Sequence, residues 1–75
     1  MKAFAGKDLV TFLTAVDSHL AEPFRLEVIG AAAAILKFKI KRGTIDIDST
    51  HSVSKIQKAC KAAKTDTGLN IPLQT

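Results

Sequence analysis

The chain of 75 residues has no tryptophan, no tyrosine and one cysteine, Cys60. A single cysteine excludes an intramolecular disulfide and any cysteine-based metal cluster. With four phenylalanines as the only aromatics, the core has to be built from Ile, Leu, Val and Ala. No long hydrophobic run is present either. The longest, Val28 to Leu36, falls far short of the roughly 20 apolar residues that span a bilayer. The opening Met1-Lys2-Ala3-Phe4-Ala5-Gly6-Lys7 lacks an apolar stretch followed by a small-residue cleavage site, so a cytoplasmic protein is expected. What is present in quantity is apolar side chain, at 47%, which is too much for a disordered segment. One domain, residues 1–75, is expected, near the size at which a single core barely suffices. The formal charge of +4 and the pI near 9.5 point to an anionic partner such as nucleic acid or nucleotide. Charge alone nevertheless favours a merely solvated surface over a dedicated patch.

Periodicity defines the first element. Leu9, Phe12, Leu13, Val16 and Leu20 share one face of a helix over about Lys7 to Ala21. Glu22-Pro23 ends it, because a residue preceding proline is pushed out of the α region. Phe24 to Ile29 alternates apolar with charged residues and reads as a strand stopped by Gly30. The following stretch is ambiguous. Ala31 to Ile35 is strongly helix-forming and free of polar residues, as in a buried helix start. Leu36 to Lys41, however, alternates with the strand period, and Arg42-Gly43 with Thr44 to Asp48 would complete a β-hairpin. From about Ser52 or Val53 to Thr65 a second amphipathic helix is predicted. Val53, Ile56, Ala59, Cys60 and Ala63 lie on one arc, and Lys55, Lys58, Lys61 and Lys64 on the other. Thr50 or Ser52 is the expected N-cap and Gly68 the terminator. Cys60, on the apolar arc, is expected to be an inert core thiol. Leu69 to Thr75 shows apolar residues but no complete element.

Asp46 and Asp48 carry the chemistry. Two residues apart on a strand, they share a face at a spacing of roughly 7 Å. Paired carboxylates suit a hard divalent cation whose shell is completed by phosphates. Asp-x-Asp is common, and alone it most often marks two solvated acids on an outer strand face. Its context here is Gly30, at the end of one strand and directly before a possible helix. There, unpaired backbone N–H groups and the helix dipole attract phosphate.

The run Leu26-Glu27-Val28-Ile29-Gly30-Ala31-Ala32-Ala33-Ala34-Ile35-Leu36, followed by Lys41-Arg42-Gly43-Thr44-Ile45-Asp46-Ile47-Asp48, resembles the start of the polymerase-β-like nucleotidyltransferases. It is most similar to the small bacterial group with Gly-Gly-Ala-Ala and Arg-x-Thr-x-Asp-Ile-Asp motifs. The resemblance covers about Arg25 to Asp48 and extends more loosely to Gly68-Leu69. It implies a helix from Ala31 to about Phe38 instead of the hairpin. It makes Gly30 and Ala31 the phosphate-binding turn and Asp46 and Asp48 the catalytic metal ligands, with Mg²⁺ as the cofactor. Arg42 and Thr44 match further nucleotide-binding positions, and Lys37, Lys39 and Lys41 add positive charge nearby. The chain departs from the pattern at Ala31, where the group has glycine or serine, and at Ser49, where it has an apolar residue. A third carboxylate from a later strand is also implied. Asp8, Asp17, Glu22, Glu27 and Asp66 are not placed to supply it, and no other acid follows before Thr75.

The expected fold is therefore α/β (α+β) in the order α-β-α-β-α, a partial nucleotidyltransferase fold with helices packed on a small sheet. The expected function is a partial or degenerate nucleotidyltransferase-like domain that binds Mg²⁺ and a nucleoside triphosphate. When active, it would transfer a nucleoside monophosphate and release pyrophosphate. A truncated domain with an exposed strand edge implies a homodimer. The alternative is a non-catalytic, small dimeric regulatory protein whose basic helix contacts nucleic acid or an acidic partner.

Overall fold

The computed structural model describes residues 3–22, 28–38, 43–44, 46–49 and 56–74. Its elements follow in the order α1 (Gly6–Ser18), β1 (Val28–Ile29), α2 (Gly30–Phe38), β2 (Ile47–Ser49), α3 (Gln57–Thr67) and β3 (Leu73–Gln74). This is a mixed α and β arrangement dominated by helix. The expected order of five elements is present, and a sixth, β3, is added to it.

Helix α1 begins where Asp8, in its first turn, accepts a hydrogen bond from the Ala5 N–H at 3.1 Å, filling one of the vacant donor positions at a helix start. Leu9, Phe12 and Val16 are buried, and Leu13 and Leu20 pack at the edge of the core, as the periodicity predicts. The helix stops at Ser18, short of the expected Ala21. The N–H groups of His19 and Leu20 turn back three residues, to Val16 and Asp17 at 3.0 and 3.1 Å. The Ser18 hydroxyl also donates to the Ala15 carbonyl at 2.7 Å. The last turn tightens before proline can act, and Pro23 itself lies outside the described residues, as does the Phe24 to Glu27 part of the expected strand.

Residues Leu36, Lys37 and Phe38 are helical, which overturns the hairpin reading. The first half of the alternating stretch thus belongs to a helix, with Lys37 between Leu36 and Phe38; Lys39, Ile40 and Lys41 lie outside the described residues. Ala32 and Ile35 are buried while Ala31 is exposed, so one face of α2 is covered, not its whole first turn. In α3 the apolar arc Ile56, Ala59, Cys60 and Ala63 is buried; Val53, Lys55 and the expected caps Thr50 and Ser52 lie outside the described residues. Gly68 closes α3 in the left-handed conformation, φ 70°, with its N–H donating to Lys64 O at 3.0 Å. That is the role expected of it.

The sheet has the order β1-β2-β3. β1 runs antiparallel to β2, pairing Val28 with Ser49 and Ile29 with Asp48. β2 runs parallel to β3, pairing Ile47 with Leu73 and Asp48 with Gln74. Since paired residues share a face, Ile47, Ser49 and Leu73 form the buried side with half-buried Val28, whereas Ile29 and Gln74 are exposed. A helix layer, in which α1 packs chiefly on α3 and α2 lies against β1 and β2, covers the first side. Ile71, wholly buried, joins Leu9, Phe12 and Ile47 at the centre of this core. The Cα radius of gyration, 11.4 Å, equals the roughly 11 Å of a closed domain of this length.

Candidate functional site

The site is built where β1 hands over to α2. Gly30 has φ 73°, a left-handed conformation that costs a residue with a Cβ about 1–2 kcal/mol. This lets the chain turn from strand to helix with no intervening loop. The first N–H groups of α2 have no partner within the helix, and its first turn contains no acid. Gly30 and Ala31 are both exposed. The result is an accessible, electropositive helix start.

The antiparallel register brings the acidic segment to this turn. Ile29, the residue before Gly30, is paired with Asp48, and Asp46 lies just before β2, half-buried. The Thr44 hydroxyl donates to the Asp46 carbonyl at 3.2 Å. Thr44 is itself buried and forms a two-way bridge with Phe4, with N···O distances of 2.6 and 2.9 Å. Its hydroxyl and backbone therefore fix the approach of the chain to Asp46. Arg42, Lys39 and Lys41 lie outside the described residues. The structure thus brings Gly30, Ala31, Asp46 and Asp48 to one end of the sheet, with Thr44 supporting that end from below.

Sequence reasoning missed the third member of this row. On the far side of β2, Asp48 is paired with Gln74, so a later strand does reach the acidic strand, and it brings a neutral amide. The signal was present in Leu69, Ile71 and Leu73, which alternate with the strand period. Pro72 obscured it, since proline cannot donate to a ladder. Here its carbonyl accepts from the Ile47 N–H at 2.8 Å, and its missing N–H is not needed. Among the described residues, no three His, Cys, Asp or Glu side chains converge as a metal cage. By residue type alone, two aspartates and a neutral amide would suit a hard cation only where phosphate oxygens complete its shell.

Two other groups lie away from this site. His19 Nε2 and the Asp66 carboxylate are hydrogen-bonded at 2.5 Å between the end of α1 and the last turn of α3, which engages Asp66 elsewhere. Cys60 is buried, and burial pushes its thiol above the ordinary 9.0, with Lys64 pulling the other way. No family model matches the chain, and neither a curated protein nor a solved structure is significantly similar to it. No described helix is long and apolar enough to cross a membrane.

Proposed function

We propose that this chain is a partial nucleotidyltransferase-like domain that binds a nucleoside triphosphate together with Mg²⁺. The observation that carries this reading is the pairing of Ile29 with Asp48, which sets the Gly30 turn beside the segment of Asp46 and Asp48. In this reading Gly30 and Ala31 offer backbone N–H groups to the phosphates. Asp46 and Asp48 hold the cation, and Arg42 adds charge to the same phosphates. The Mg²⁺ ion, when bound, neutralises phosphate charge and favours departure of pyrophosphate. Gln74 adds no charge beside Asp48, so nucleotide binding is expected to outlast transfer chemistry. The partial fold is completed, in the same reading, by a second copy meeting β1 or β3, the outer strands of the described sheet.

The test is a ¹⁵N NMR titration of the chain, first with Mg²⁺ and then with ATP or CTP. Metal-dependent shifts centred on Gly30, Ala31, Asp46 and Asp48, lost in Asp46→Asn and Asp48→Asn, are expected. An unchanged spectrum at about millimolar nucleotide, the upper range of enzyme substrate affinities, would sink the reading.

A further inference from the structure

Helix α3 presents a second surface, on the side turned away from the core. Lys58 and Lys61 are exposed and Lys64 is half-buried. Among the described residues none of the three is in an ion pair. At i, i+3 and i+6 they follow a shallow spiral that rises about 4.5 Å per step. The sole acid of this helix, Asp66, is engaged by His19. Its first turn contains no acid, and its N-cap, Ile56, has no side-chain hydrogen bond to offer. The positive end of the helix dipole therefore adds to Lys58 instead of being cancelled.

A hollow of about 350 Å³ adjoins this row, lined by Leu20, Ala21, Ala59 and Ala62, with Lys58 and His19 as its polar members. Among the described residues that line it, four are apolar and none is a carboxylate. A row of unpaired cations leading to an apolar recess matches a polymer that alternates negative charge with flat, weakly polar groups. Single-stranded nucleic acid has that chemistry, because its bases are free to leave the stack. An acidic polypeptide would meet the lysines and leave the recess unused.

We propose that the outer face of α3, with the hollow beside it, docks a single-stranded nucleic acid. Lys58, Lys61 and Lys64 meet successive phosphates, and one base rests on Leu20 and Ala62. This does not rest on the nucleotidyltransferase reading, since it uses none of Gly30, Ala31, Asp46 or Asp48.

Fluorescence anisotropy of the full chain with a labelled mixed-sequence single strand, as RNA and as DNA, tests it. Three phosphate contacts on a single strand imply a weakening of about 20-fold between about 50 and about 200 mM salt. Replacing two of them, in Lys58→Ala/Lys61→Ala, reduces that change to about 3-fold. Ala62→Leu, which fills the hollow, weakens single-strand binding and leaves the salt dependence unaltered. Lys7→Ala, an exposed charge on α1, changes neither. Absence of binding up to about 100 µM protein, the weak limit of non-specific association, would overturn the proposal. So would a lysine variant with unchanged salt dependence, or a duplex bound as tightly as the single strand. Competition by polyglutamate with the same dependence on Lys58 and Lys61 would assign the face to an acidic protein instead.

Discussion

Cys60 shows how position on a helix decides chemistry. Its place on the apolar arc was legible from spacing alone, and the folded chain buries it to 2% exposure. Because burial raises the thiol above 9.0, the folded state keeps its proton where the unfolded state loses it. The stability this contributes is present below pH 9.0 and is lost as pH rises from there through the raised value. Urea denaturation between about pH 8 and pH 11 is expected to show a steeper loss for the natural chain than for Cys60→Ala, with the lysines cancelling in the comparison. Equal slopes would mean that the thiol is solvated in the folded state. Phe12, wholly buried on α1, the helix that packs on α3 and α2, has the opposite role of pure volume. Phe12→Ala is expected to remove about 3–5 kcal/mol, read from the midpoint and slope of the same titration.

At the scale of the element, endings were less legible than faces. The apolar stripes of α1 and α3 were plain because burial repeats at the helical period. The end of α1 was not, because its tightening depends on bonds such as Ser18 to Ala15 that no periodicity encodes. The stretch after Gly30 was undecidable locally, for the alanine run favours a helix while the lysines after it alternate with the strand period. Tertiary contact with β1 and β2 settles α2 as a helix. β3 was overlooked because Leu73 and Gln74 find their partners on a strand more than twenty residues away. Of the candidate site, Gly30 and the two aspartates were readable, whereas Gln74 emerged only from the register. Gly68 is the simplest element-level test. No neighbouring atom lies within 4 Å of a Cβ built there, so Gly68→Ala measures backbone strain alone. A loss of about 1 kcal/mol is expected, with α3 otherwise intact by circular dichroism.

For the whole molecule, the residues after Gly68 matter out of proportion to their number. Ile71 and Leu73 are buried to 0% and 6% exposure, each contributing about 1.5–3 kcal/mol. A domain of this size has a total stability of only about 4–11 kcal/mol. A variant ending at Gly68 is therefore expected to lose its cooperative thermal transition; a transition kept at the same temperature would mean that β3 is ornamental. Hydrogen exchange gives a complementary view. β2, bonded on both sides, is expected to hold the slowest amides among the strands, while those of β1 and β3 exchange sooner.

The ties of this fold share a property that bears on how quickly it forms. Phe4 meets Thr44, Val28 meets Ser49, Ile47 meets Leu73 and His19 meets Asp66, each across a long stretch of chain. A helical protein of this length would ordinarily assemble from neighbours, within microseconds to milliseconds. Here the helices are local but these four ties among the described residues are not, so the chain has to search for distant partners before its contacts reinforce one another. Its refolding belongs with the slower, high-contact-order class, in milliseconds to seconds.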